Sequence, residues 1–88
     1  MISAIPNTED SARVVLLCDI SADYFNTNQD SSIAYGKRAL KLAKELNYIH
    51  GLAISNQVIG RCYAMQNKPS EALTYLQEAL GYARKINL

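Results

Sequence analysis

The chain has 88 residues, a formal charge of +1 and 19% charged side chains. That length bounds it to one small domain, whose core must pack well to outweigh chain entropy. A balance so close to neutral removes any global argument for nucleic acid or an acidic membrane surface as partner, and leaves specific, mostly uncharged contacts as the expectation.

The two cysteines, Cys18 and Cys62, stand in helical apolar context with no Cys-x-x-Cys pair and no His at ligand spacing. They read as buried reduced thiols, not as zinc ligands or a disulfide framework. The opening MISAIPNTED has no basic start and no apolar run of signal-peptide length, and no stretch reaches the ~18 apolar residues of a membrane span. The chain therefore reads as soluble, without a membrane partner, and cytoplasmic unless a signal peptide has been removed from it.

In chain order, residues 1–10 are a lead-in in which Pro6 stops any earlier helix, Asn7 or Thr8 can cap the next, and Glu9 and Asp10 suit a first helical turn. Over 11–25 the apolar residues Val14, Leu17, Cys18 or Ile20, and Tyr24 recur at three- and four-residue steps, which predicts an amphipathic helix. The polar segment NTNQD follows as a turn, with Asp30 as the expected cap of a second helix over 31–46. That helix carries an apolar stripe of Tyr35, Ala39, Leu42, Ala43 and Leu46, widened by Ile33 and Leu40, opposite Lys37, Arg38, Lys41 and Lys44. Asn47 is a plausible left-handed stop before a third helix over 48–65. QNKPS makes the next turn, with Pro69 at the first position of a fourth helix over 69–86. Four helices and short connections leave no room for a sheet.

The chain also matches itself. A shift of 40 places sets Tyr35 on Tyr75, Ala39 on Ala79, Leu40 on Leu80, Ala43 on Ala83 and Asn47 on Asn87, whereas the first helix of each pair aligns at 39, Ile20 on Ile59 and Tyr24 on Tyr63. The turn of the first pair is therefore expected to be one residue shorter. In the second unit Asn56, Ile59-Gly60, Tyr63, Ala72 and Leu76 fall at the offsets of a tetratricopeptide repeat.

The two halves, 11–47 and 48–88, thus resemble tetratricopeptide repeats, the second more closely than the first. In the first, Leu17, Ile20, Tyr24 and Ala39 keep their places, but Ser21 replaces the small Gly, Ser32 replaces Ala, and Gly36 stands where a large apolar residue is usual. Two consequences are open at Gly36: looser packing, or close approach of another helix. The resemblance implies an all-α fold of two tandem antiparallel helix hairpins, a fragment of a right-handed α-solenoid. The spacing exceeds the family's usual period of about 34. It is similar to the longer variants found in kinesin light chains, Rap-like regulators and bacterial sensor arrays.

What the resemblance implies about function is binding. The first helix of each pair would line a concave peptide groove, here Val15, Cys18, Asp19, Ala22, Phe25, Asn26, Ile54, Gln57, Arg61, Ala64 and Met65. Phe25 and Met65 supply adaptable apolar surface and Arg61 can grip a carboxylate, unless it merely pairs with a neighbouring acid. The clamp by which co-chaperone members hold a C-terminal carboxylate is missing, because Cys18, Ala22 and Val58 occupy the aligned places. Leu76, Leu80, Tyr82, Ala83 and Ile86 on the last helix form an apolar edge with no helix behind it, expected to stack on a further unit or on a second copy, with Gly81 permitting close approach.

The basic row of the second helix reads as a solvated face with no aromatic platform interleaved, and His50 as a surface or capping side chain. Asp19 and Asp23 share a face, but an open groove gives little desolvation to separate them into acid and base. No catalytic residue, metal site or cofactor is expected, and nucleic acid is not. The expected function is a non-catalytic protein or peptide interaction module, the scaffold or regulatory part of a larger bacterial signalling protein. The alternatives are a peptide-sensing segment of a regulator and a stand-alone, self-associating adaptor.

Overall fold

A computed structural model describes residues 8–86. It contains four helices, α1 (Thr8–Tyr24), α2 (Gln29–Leu46), α3 (Ile49–Met65) and α4 (Pro69–Ile86), and no strand among the described residues. Helices α1 and α2 form one antiparallel hairpin and α3 and α4 a second. Helix α3 is the element that touches all three others. The body measures 45 × 25 × 17 Å, elongated as expected when each hairpin packs only on its neighbour. The lead-in through residue 7, with Pro6 as its stop and Asn7 as a cap, lies outside the described residues.

Local chemistry sets the helix ends. Helix α2 begins earlier than expected because Asn28, not Asp30, is its cap: the Asn28 backbone is extended, and its side-chain oxygen accepts from the Ser31 amide at 3.1 Å. Asp30 falls into the first turn, where the helix dipole favours its charge. Helix α2 ends at Asn47 in the left-handed conformation, φ 55°, with the Tyr48 amide donating to the Ala43 carbonyl at 2.9 Å and the Asn47 amide to Lys44 at 3.2 Å. Helix α3 ends in the same way at Asn67, φ 59°, with Lys68 donating to Tyr63 at 2.9 Å and Asn67 to Ala64 at 3.1 Å. Both are Schellman closures, which occupy carbonyls that would otherwise be orphaned.

The shorter spacing in the first hairpin does not shorten its turn. Tyr24 ends α1, while its equivalent Tyr63 lies two residues before the end of α3, and the first connection, residues 25–28, is longer than the second, residues 66–68. The missing residue is taken from the last turn of α1.

Small side chains dominate the core. Val14, Cys18, Ala39, Ala43 and Leu52 form a buried cluster shared by the first three helices, with Tyr82 and Ile54 among the half-buried residues packed against it. Ile59 and Cys62 are wholly buried beside it. At Gly36 the structure decides for close approach: a Cβ there would lie 2.8 Å from Ile59 Cγ1 and 3.3 Å from the Ser21 hydroxyl. Gly60 serves the second hairpin equally, since a Cβ would meet Leu76 Cγ and Cδ2 at 2.8 Å.

Ser21 and Ser32, which replace the Gly and Ala of the other unit, form a buried polar clasp between α1 and α2. Ser21 Oγ donates to the Ser32 carbonyl at 2.6 Å, Ser32 Oγ donates to the Ser21 carbonyl at 2.6 Å, and the Cys62 thiol donates to Ser32 Oγ at 3.1 Å. Each hydroxyl is satisfied, so burying it carries no orphan penalty. The first hairpin therefore closes on hydrogen bonds where the second closes on a bare Gly–Leu contact.

Candidate functional site

The first candidate surface is the one expected on α1 and α3. Of the residues expected there, Val15, Asp19, Ala22, Asn26, Arg61, Ala64 and Met65 are exposed and Phe25 is half-buried. The Arg61 guanidinium carbon sits 4.9 Å from the centre of the Phe25 ring, which ties the end of α1 to α3. Stacking uses the flat face of the guanidinium and leaves its in-plane N–H donors free to meet a carboxylate. Met65, 61% exposed, lies one turn beyond Arg61 on the same helix.

Of the other three residues expected on this face, Cys18 is buried, and Ile54 and Gln57 also line a second surface. Cys18 is only 4% exposed and belongs to the core, because α1 turns that position toward α2 and α3. Burial, and secondarily the charge of Asp19, push its thiol up to about 11, so at neutral pH it is a protonated, unreactive packing group. Ile54 and Gln57 line the other open surface, a groove between α3 and α4.

That groove holds about 420 Å³ and is lined by His50, Ala53, Ile54 and Gln57 of α3 and by Leu76, Ala79, Leu80, Ala83 and Ile86 of α4. Leu76, Leu80, Ala83 and Ile86 are expected edge residues. Tyr82 is not among the lining residues, because it packs back against the core. His50, Ala53 and Ala79 were not anticipated, although the internal repeat carries the signal: they are the equivalents of Ser11, Val14 and Ala39, and Val14 and Ala39 are wholly buried beneath α3. The groove is the second hairpin's copy of the surface that α3 covers on the first. Leu80, 51% exposed, shows how much apolar area it leaves in contact with solvent. Gly81 is exposed, with nothing within 4 Å of a would-be Cβ, so no approach within this chain requires it.

The basic row of α2 is not simply solvated. The repeat places one stacked tyrosine pair on each hairpin, Tyr24 on Tyr35 with centroids 5.7 Å apart and Tyr63 on Tyr75 at 5.5 Å. Cations rest on them: Arg38 on Tyr35 at 5.4 Å, Lys37 on Tyr63 at 5.7 Å and Lys68 on the same ring at 5.8 Å. A side-chain hydrogen bond to Tyr63 holds Lys37 above its ordinary value. Tyr63 and Lys37 are distant in sequence, which is why no interleaving was legible there. His50 is exposed, its ring 6.1 Å from that of Tyr48.

Among the described residues no three His, Cys, Asp or Glu side chains come together as metal ligands do, and no helix is long and apolar enough to cross a membrane. Paired helix hairpins in register, with the second presenting an unfilled copy of the first one's interface, define an α-helical tandem-repeat protein. A family model for the tetratricopeptide repeat matches residues 11–85, across both hairpins, and the chain belongs to that family. Its repeats generally mediate protein–protein interaction and are typically non-catalytic. No curated protein and no solved structure matches the chain.

Proposed function

We propose that this chain is a non-catalytic module that binds a partner peptide across α1 and α3, as the scaffold or regulatory part of a larger bacterial signalling protein. The observation that carries the reading is Arg61, over the Phe25 ring at 4.9 Å, one helical turn before the exposed Met65. One side of this arrangement is apolar and adaptable, and the other is a fixed cation. A peptide with a bulky apolar side chain next to a carboxylate suits it. The signalling context rests on the resemblance of the phrase KRALKLAKELNYIHGLAISNQVIGRCYAMQNKPSEAL to repeats of bacterial regulatory arrays. Panning a random displayed-peptide library should enrich an acid beside a bulky apolar residue, and Arg61→Gln should abolish the enrichment. Enriched peptides indifferent to Arg61→Gln and Phe25→Ala would overturn the reading.

A second reading, self-association through α4, is favoured by the exposed Leu73, Leu76, Leu80 and Ile86, all on that helix. Light scattering across a concentration series checks it, and a monomer at the highest concentration rejects it.

A further inference from the structure

Lys37, Lys41 and Lys44 are exposed and make one stripe along α2. At 1.5 Å per residue, Lys41 stands about 6 Å and Lys44 about 10.5 Å along the axis from Lys37, all within about 60° around it. Lys68, just before α4, joins the Lys37 end: the ammonium nitrogens of Lys37 and Lys68 lie 5.7 and 5.8 Å from the centre of the same Tyr63 ring. Two cations from distant parts of the chain thus converge on one half-buried phenol.

No acid interrupts the stripe between Lys37 and Lys44. Asp30, two turns before Lys37, accepts from the Gln66 amide at 3.3 Å, and Glu45 lies on the other flank, seven residues beyond Arg38. A hydrogen bond to Tyr63, followed by the nearby Tyr75, raises Lys37 against the effect of partial burial, and no carboxylate takes part.

The tyrosines order the cations. A lysine on an open surface gives up rotamer freedom when it grips an anion, and that loss cancels much of the attraction. Here Tyr63 already restrains Lys37 and Lys68, and an ammonium has three N–H groups, so contact with the ring leaves donors for a second partner. The rings themselves make poor platforms for a nucleobase, because Tyr35 and Tyr63 each meet both another tyrosine and a cation. The row is also short. Gln77 and Gly81 stand at the equivalents of Lys37 and Lys41 in the second hairpin, so it does not continue there as the phosphates of a nucleic-acid strand would require.

We infer that this stripe of α2 binds an extended acidic segment of a partner protein, with carboxylates at alternate residues. In an extended chain alternate side chains point the same way and recur every ~6.6 Å, close to the ~6 Å step from Lys37 to Lys41. The first carboxylate meets Lys37 and Lys68, the second Lys41, and the third reaches Lys44. This surface is distinct from the α1/α3 face, since Arg61 and Tyr63 are two residues apart on α3 and about 200° apart around its axis.

The test titrates the isotope-labelled full chain with a short peptide alternating serine and glutamate, followed by backbone and side-chain chemical shifts. A second peptide of the same composition, with its glutamates adjacent, carries equal charge at the wrong spacing. Shifts should centre on Lys37, Lys41, Lys68 and the Tyr63 ring, and the alternating peptide should bind about threefold tighter. Lys37→Gln combined with Lys41→Gln should weaken it about tenfold. Lys85→Gln removes a cation from the Tyr82 ring on α4 and should change nothing. All three positions are exposed, and circular dichroism checks that each variant keeps its helices.

Equal binding of the two peptides overturns the inference, as does a double variant that binds like the natural chain, or no shift at millimolar peptide. A short oligothymidylate binding more tightly than either peptide overturns it in favour of nucleic acid. Arg61→Gln should leave this titration unchanged, and the α2 double variant should leave the library enrichment on the α1/α3 face unchanged, so the two proposals fail separately.

Discussion

Alanine at Gly60 and at Gly81 should have opposite effects, although both glycines lie inside helices. Intrinsic propensity alone favours alanine at either site by about 1 kcal/mol. At Gly81 nothing lies within 4 Å of the new methyl, so that gain should appear nearly whole, about 0.5–1 kcal/mol of added stability. At Gly60 the methyl would lie 2.8 Å from Leu76 Cγ and Cδ2 and 3.2 Å from the Leu76 amide nitrogen. The leucine tip can turn aside but the backbone nitrogen cannot, so α4 must move off α3. Overpacking of that kind costs about 1–3 kcal/mol, leaving a net loss of up to about 2 kcal/mol after the propensity gain. The propensity gain is common to both, so the two variants should then differ by the overpacking cost, about 1–3 kcal/mol, or roughly 4–24 °C in Tm for a domain of this size. Thermal and urea unfolding followed by helical circular dichroism measure both. A Gly60→Ala protein as stable as Gly81→Ala would mean that the close approach of α3 and α4 at Gly60 is not what holds the second hairpin together. Recovery of part of the loss in Gly60→Ala with Leu76→Ala would trace it to this contact.

Each hydroxyl of the Ser21–Ser32 clasp donates to the other residue's backbone carbonyl, which alanine keeps, so each serine changed to alanine should cost about 1 kcal/mol and the double change close to the sum; a double change costing much less than the sum in urea titrations would show the two hydroxyls to be coupled through their own 3.3 Å contact. Cys18 should resist aromatic disulfide reagents in the native chain and react on unfolding. Its thiol is raised from the ordinary 9.0 to about 11, so the folded state holds this proton more tightly than the unfolded one. The associated stability should be fully present below pH 9 and be lost as pH rises toward 11, and a Cys18→Ala chain should lack that component of the alkaline slope. Arg61→Gln, in contrast, should change stability by no more than about 0.5 kcal/mol, because a cation on an exposed ring contributes little to folding.

Much of the helical order was readable in advance because it is decided within a few residues. Asn47, Pro69 and the alternation of apolar stripes act through backbone conformation and helical period, and their effects stayed where they were placed. The cap of α2 moved from Asp30 to Asn28 because NTNQD contains several side chains able to cap, and local rules do not rank them. The candidate sites were less legible. Cys18, Ile54 and Gln57 have unremarkable neighbours in sequence, and one rotation along a helix separates an exposed face from a core or a groove. The cations on tyrosine rings were hidden for the same reason, since Lys37 meets Tyr63 across two helices.

The sequence by itself determined that this chain is four amphipathic helices in two related units, because periodicity, turn chemistry and a self-match at 39 and 40 places are properties of the chain read along its length. Only the tertiary structure decided that Gly36 marks a close approach, that Ser21 and Ser32 form a buried clasp, and that the second hairpin presents an open copy of the surface α3 covers. Each of those depends on what another helix places opposite a residue, which no property of that residue's own segment encodes.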